Sequence, residues 1–124
     1  MIAGIGIDSV EIARFNHWAT TYTYATLRKT FSDHEIIYCL QEANKTAQRF
    51  AVRFAAKEAA YKALCSATGQ QLPFLTMLPE MSIELTNGIP AVVLPAQYQM
   101  FYRSFCSLTH TETTATAVVV LEFL

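Results

Sequence analysis

The chain has 124 residues, 52% of them hydrophobic and 15% charged, with a net charge of −1. That length suffices for one domain with its own core and no disulfide staples, and so small a net charge excludes a general affinity for nucleic acid or an anionic membrane surface. The charged fraction lies well below the roughly 25% of ordinary soluble domains, so apolar surface must be covered, and a buried subunit interface is expected.

Residues 2–9 read as a strand, with Ile5 and Ile7 on one face and Gly4, Gly6 and Asp8 on the other. A helix is expected from about Val10 to Trp18, stopping before the β-branched and aromatic stretch TTYTY. In FSDHEI, Ser32 and Glu35 have the spacing of a capping box and Phe31 and Ile36 that of a hydrophobic staple, so a second helix runs to about Glu42. A long helix follows from about Lys45 to Ala67, stopped near Gly69. Residues 81–86 and 90–94 form a hairpin around Asn87-Gly88, residues 96–104 a short helix, and SLTHTETTATAVVVLEFL two strands around a polar turn. Helices crowd the first half and antiparallel strands the second, which predicts an α+β fold with a small antiparallel sheet and a long central helix, one domain over residues 1–124.

Cys39, Cys65 and Cys106 are dispersed, with no metal-ligand spacing, which argues against a disulfide framework and for a reducing compartment. The opening MIAGIGIDSVEI has no basic leader, and no apolar run reaches membrane-span length, so a cytoplasmic protein is expected.

Seven basic residues, Arg28, Lys29, Lys45, Arg49, Arg53, Lys57 and Lys62, fall within one stretch, and none follows until Arg103. Arg49, Arg53 and Lys57 make an i, i+4 ladder of like charge, which a solvated face tolerates at about 0.2–0.5 kcal/mol per pair. Lys57, however, lies between Phe50 and Leu64 on the helical wheel, where a docked anion would turn repulsion into binding. Glu58 and Lys62 have the favourable i, i+4 order of a helical salt bridge; the alternative is a carboxylate for a cation beside a lysine for a phosphate. Asp8 either caps the strand's exit or serves a ligand or second chain that approaches the backbone bared by Gly4 and Gly6. His110, among Ser107, Thr109 and Thr111, is either an exposed turn histidine or a phosphate or base contact.

Taken together, GIGIDSVEIARF, FSDHEI, RFAAKEAAYKAL, NGIP and SLTHTETTATAVVV resemble, in order and spacing, the holo-acyl-carrier-protein synthases, the short 4′-phosphopantetheinyl transferases. The resemblance covers nearly the whole chain. It implies that Asp8 and Glu58 hold Mg²⁺ on the pyrophosphate of coenzyme A and that Lys62 neutralises phosphate charge, these three forming the catalytic set. It places Arg53, Lys57, Thr109 and His110 with Lys62 along coenzyme A. The implied reaction moves phosphopantetheine to a serine of apo acyl carrier protein, releases adenosine 3′,5′-bisphosphate and supports fatty acid biosynthesis. The resemblance also implies a homotrimer with sites between subunits, and carrier docking through Arg14, with Phe15, Trp18 and Arg28. The chain departs from the family's pattern at Leu64–Gly69, where only Gly69 remains of a glycine-rich turn, at Ser9 and at Ile89. Either a metal-bound water or a carboxylate could be the base for the carrier serine. A non-catalytic coenzyme A or carrier module, or another metal-dependent phosphoryl enzyme, would share parts of this pattern.

Overall fold

A computed structural model describes residues 1–124. Its scaffold is one long helix wrapped by a three-stranded antiparallel sheet, a separate hairpin and short helical turns. Strand β1 (Ile2–Glu11) pairs with β5 (Thr114–Phe123), and β5 with β4 (Tyr102–His110), giving the order β1-β5-β4. Hairpin β2 (Ser82–Thr86) and β3 (Ile89–Val93) turns on Asn87 and Gly88, whose φ angles of 53° and 77° fit the twist of a two-residue hairpin. The short helices are α1 (Trp18–Thr21), α2 (Tyr24–Leu27), α3 (Asp33–Leu40), α5 (Phe74–Met77) and α6 (Ala96–Gln99); α4 (Thr46–Thr68) is the axis. The α+β class stands as expected.

Two elements differ from the sequence reading. The expected helix at Val10–Trp18 is instead the end of β1, a 3₁₀ turn at Ile12–Phe15 and the start of α1. Val10 and Glu11 stay extended because β5 offers them partners, Ala115 and Thr114, while the 3₁₀ turn buries Ile12 and Phe15. The expected helix at 96–104 ends at Gln99, because Tyr102 already pairs with Phe123 and β4 runs on from there to His110. Elsewhere the local signals hold. Ser32 and Glu35 make the capping box, and α4 ends on Gly69, at φ 69°.

The two faces of β1 have exchanged the roles that hydrophobicity alone would give them. Gly4 and Gly6 face α4, so closely that a Cβ on either would collide with the carbonyl of Ala63 or Ala59. The bare strand is therefore a seat for the chain's own alanine-rich helix, whose Ala59 and Ala63 are fully buried. Ile5 and Ile7 instead point outward, 59% and 62% exposed. In register they join Val120 and Phe105, and Val118 and Ser107, in a largely apolar outer sheet face. On the other side of α4, Phe15, Phe31, Phe50, Phe54 and Trp18 form an aromatic cluster, with Phe15 and Trp18 centroids 4.6 Å apart.

Candidate active site

The close seat of β1 on α4 sets Asp8 against the C-terminal half of the helix. Lys62 Nζ donates to Asp8 Oδ1 and to Ile7 O, both at 3.0 Å. The i, i+4 bridge from Glu58 to Lys62 does not form; the lysine crosses to the strand. Asp8 Oδ2 is buried and has no hydrogen-bond partner. Glu58 is half-buried beside it, and desolvation, then the neighbouring Asp8 carboxylate, push its carboxyl up to about 7. Two carboxylates thus converge where at most one carries its charge comfortably, and an orphaned oxygen faces in. That is a donor set for a hard divalent cation. No third acid, histidine or cysteine joins them, which fits Mg²⁺, an ion that takes one or two carboxylates and completes its shell with phosphate and water.

The sign of the Glu58 shift gives a test. Its folded pKa lies above the ordinary 4.5, so the stability it contributes is complete below that value and is lost as pH rises through about 7. Without divalent ions, wild type should lose more melting temperature than Glu58→Gln between about pH 5 and about pH 8. Parallel pH profiles would show that the two acids do not share a proton.

A second region lies around the N-terminal half of α4, in an open cleft of about 360 Å³ walled by α3, α4, the β2–β3 hairpin and the end of β4. Lys45, Arg49, Arg53 and His110 line it, with Tyr38 at the base and Gly88 and Pro90 from the hairpin. The guanidinium carbons of Arg49 and Arg53 lie 4.1 and 4.0 Å from the Tyr38 ring centroid. Arg49 is further held by Tyr38 O at 2.9 Å and Glu42 Oε1 at 3.3 Å. Arg53 is 5% exposed and makes no ion pair. A nearly buried cation without a counter-charge, at the wall of an open cleft, suits an anion. His110 accepts from Gln48 Nε2 at 2.8 Å on Nε2, which leaves Nδ1–H to donate to Thr111 O.

Several expected residues sit elsewhere. Lys57 does not reach the cleft: it is fully buried, and Glu35 Oε1 takes its Nζ at 2.7 Å. The apolar wheel position therefore holds an internal ion pair and no docked anion. Thr109 lies between Leu108 and His110, which both line the cleft, so strand alternation turns it to the sheet's outer face. Phe15 is fully buried and cannot present itself to a partner. Arg14 is exposed and stacks over Phe54 at 4.9 Å, Trp18 is half-buried, and Arg28 is exposed but paired with Asp33 at 3.0 Å. Sequence reasoning missed Tyr38 and Gln48 as cleft residues, and it read Glu35 only as a cap. Tyr61, Gln71 and Phe74, which line a 320 Å³ pocket beside Glu58 and Lys62, were missed too. Apart from Glu35, in its capping box, none of these carries a local motif.

The basic cleft and the carboxylates lie on opposite sides of α4. Arg49 to Glu58 and Arg53 to Lys62 are each nine residues, two and a half turns, so each pair is half a turn around and about 13.5 Å along the axis.

Two converging carboxylates with a lysine beside them, and a separate basic cleft on the other side of α4, are the groups expected of a transferase that handles a phosphate-bearing substrate. The model of the 4′-phosphopantetheinyl transferase superfamily matches residues 4–119. Holo-[acyl-carrier-protein] synthases of Nocardia farcinica and Treponema denticola are each 36% identical, covering 98% of this chain and 88% and 99% of theirs. The acyl carrier protein synthase of Mycobacterium tuberculosis superposes with a TM-score of 0.76 at 31% identity over the full length of both chains. That of Helicobacter pylori, solved in complex with coenzyme A, gives 0.73 at 30% identity, covering 95% of this chain and 99% of that one. The chain belongs to the holo-acyl-carrier-protein synthase family of 4′-phosphopantetheinyl transferases.

Proposed function

We propose that residues 1–124 act as one transferase domain that moves 4′-phosphopantetheine from coenzyme A to a serine of apo acyl carrier protein, in a Mg²⁺-dependent reaction serving fatty acid biosynthesis in the cytoplasm. The observation that carries this reading is the unpartnered Asp8 Oδ2 beside a Glu58 held near neutrality, with Lys62 in reach. Asp8 and Glu58 would hold the ion, which when bound offsets charge on the pyrophosphate. Lys62, half-exposed on a four-carbon stem, can leave Asp8 for a phosphate oxygen once a cation has taken its place. Arg53, with Lys45, Arg49 and His110, takes the phosphate at the nucleotide end. The cleft's position half a turn from the acids supports a site shared between subunits, and the outer face carrying Ile5, Ile7, Val120 and Phe105 supports burial in a homotrimer. Arg14, Trp18 and Arg28 remain the surface offered to an acidic carrier. No helix is long and apolar enough to cross a membrane.

The test is to incubate the protein with apo carrier, coenzyme A and Mg²⁺ and follow the carrier's intact mass. Transfer adds one phosphopantetheine per carrier and releases adenosine 3′,5′-bisphosphate in equal amount. A binding module changes neither, and a phosphatase-like enzyme consumes coenzyme A with the carrier unmodified. Lys62→Ala should lower kcat by about a hundredfold or more with a smaller change in KM, because the lysine acts on charge that develops in the transition state.

A further inference from the structure

Glu35 is fully buried, and its carboxylate binds three separate segments of the chain. Oε1 accepts from Ser32 N at 2.8 Å, at the start of α3, and from Lys57 Nζ at 2.7 Å, on α4. Oε2 accepts from Ile83 N at 2.9 Å, on β2. Ser32 Oγ and Ser82 Oγ, 2.7 Å apart, tie the same α3 terminus to the same strand.

These three segments are walls of the basic cleft. Helix α3 supplies Tyr38, one turn beyond Glu35, on whose ring both Arg49 and Arg53 rest. Helix α4 supplies the arginines, and the hairpin that begins at β2 supplies Leu85, Gly88 and Pro90. The hairpin pairs with no strand of the main sheet, so ladder hydrogen bonds do not set its distance from α4. The Glu35 carboxyl is fully buried and makes three directional hydrogen bonds, which makes it a rigid spacer between the walls.

We infer that Glu35 is a positioning residue for the anion cleft: it holds α3, α4 and the β2–β3 hairpin at the spacing that lets Arg53 and its neighbours meet the nucleotide end of coenzyme A. The inference rests on the coenzyme A reading above. It assigns Lys57 to the same device, as the buried partner that holds the carboxylate in place. Glu35 touches no substrate, and its loss acts on binding more than on turnover.

A double variant separates position from stability. Glu35→Leu with Lys57→Met removes both charges and fills the same space with apolar atoms, an exchange that often preserves folding. It leaves Ile83 N without its acceptor, so the hairpin loses its hydrogen bond to the Glu35 carboxylate and keeps only the contact of Ser82 with Ser32 on the α3 side. The expected result is a melting temperature near that of wild type, with KM for coenzyme A and the calorimetric Kd of adenosine 3′,5′-bisphosphate both raised about tenfold or more, and kcat changed far less. Glu35→Gln, which keeps the shape but sets an amide against the donors of Ser32, Lys57 and Ile83, should move KM the same way and decides the matter if the double variant does not fold. Wild-type affinity in whichever variant folds overturns the positioning role alone. A wild-type protein that binds no adenosine 3′,5′-bisphosphate overturns the coenzyme A reading and the role of Glu35 with it.

Discussion

Asp8→Asn and Glu58→Gln are each expected to lower Mg²⁺-dependent transfer by about a thousandfold or more, a loss of roughly 4 kcal/mol in transition-state stabilisation, while the fold survives. Each substitution removes half of the carboxylate charge available to the ion, and no third acid stands close enough to replace it. The two variants should differ in stability. Glu58→Gln removes a carboxyl that burial and Asp8 already force toward neutrality, so the metal-free protein should be as stable as wild type or more so near neutral pH. Asp8→Asn weakens the contact with Lys62, an ion pair with one half-exposed partner, and should cost little. Circular dichroism melts together with rates at limiting Mg²⁺ decide it. Full activity in either variant would remove that residue from the metal site.

Mixing two dead proteins should restore activity. If the acids of one protomer work with the cleft of its neighbour, Asp8→Asn and Arg53→Ala damage different halves of each site. Co-expressed in equal amounts, they would assemble so that about one quarter of the sites combine intact acids with an intact cleft, by random pairing around a closed ring. About a quarter of wild-type activity is therefore expected from a mixture whose components are each nearly inactive. A site contained in one protomer would give no recovery, because no chain in the mixture is whole. Light scattering on the purified protein gives the companion result. A trimer agrees with the exposed Ile5, Ile7 and Phe105 and the half-buried valines between them on the sheet, and a fully active monomer would refute both the assembly and the shared site.

The residues of the candidate site were legible because their motifs are local: Asp8 shares one face of a strand with Gly4 and Gly6, and Glu58 and Lys62 lie one turn apart on a helix. Their partnership was not. Lys62 reaches Asp8 across 54 positions of sequence and does not bridge to Glu58, its helical neighbour. Lys57 is the sharper case. Its wheel position between Phe50 and Leu64 already marks it as inward-facing, yet only the folded chain brings Glu35, 22 positions away, to neutralise it.

What the sequence determined by itself was the set of short-range features: the capping box at Ser32, the Asn87-Gly88 turn, the stop at Gly69 and the α+β order of elements. These depend on sterics and hydrogen bonds within a few residues, and local composition encodes them directly. Only the tertiary structure decided that Val10–Glu11 and Tyr102–Ser104 are extended, since strand β5 supplies their partners from far along the chain. It also decided which side of β1 is buried. The alanine face of α4 can approach only where the strand has no side chains, so the glycines turn inward and Ile5 and Ile7 are left outside, as the apolar surface that a second copy of the chain would cover.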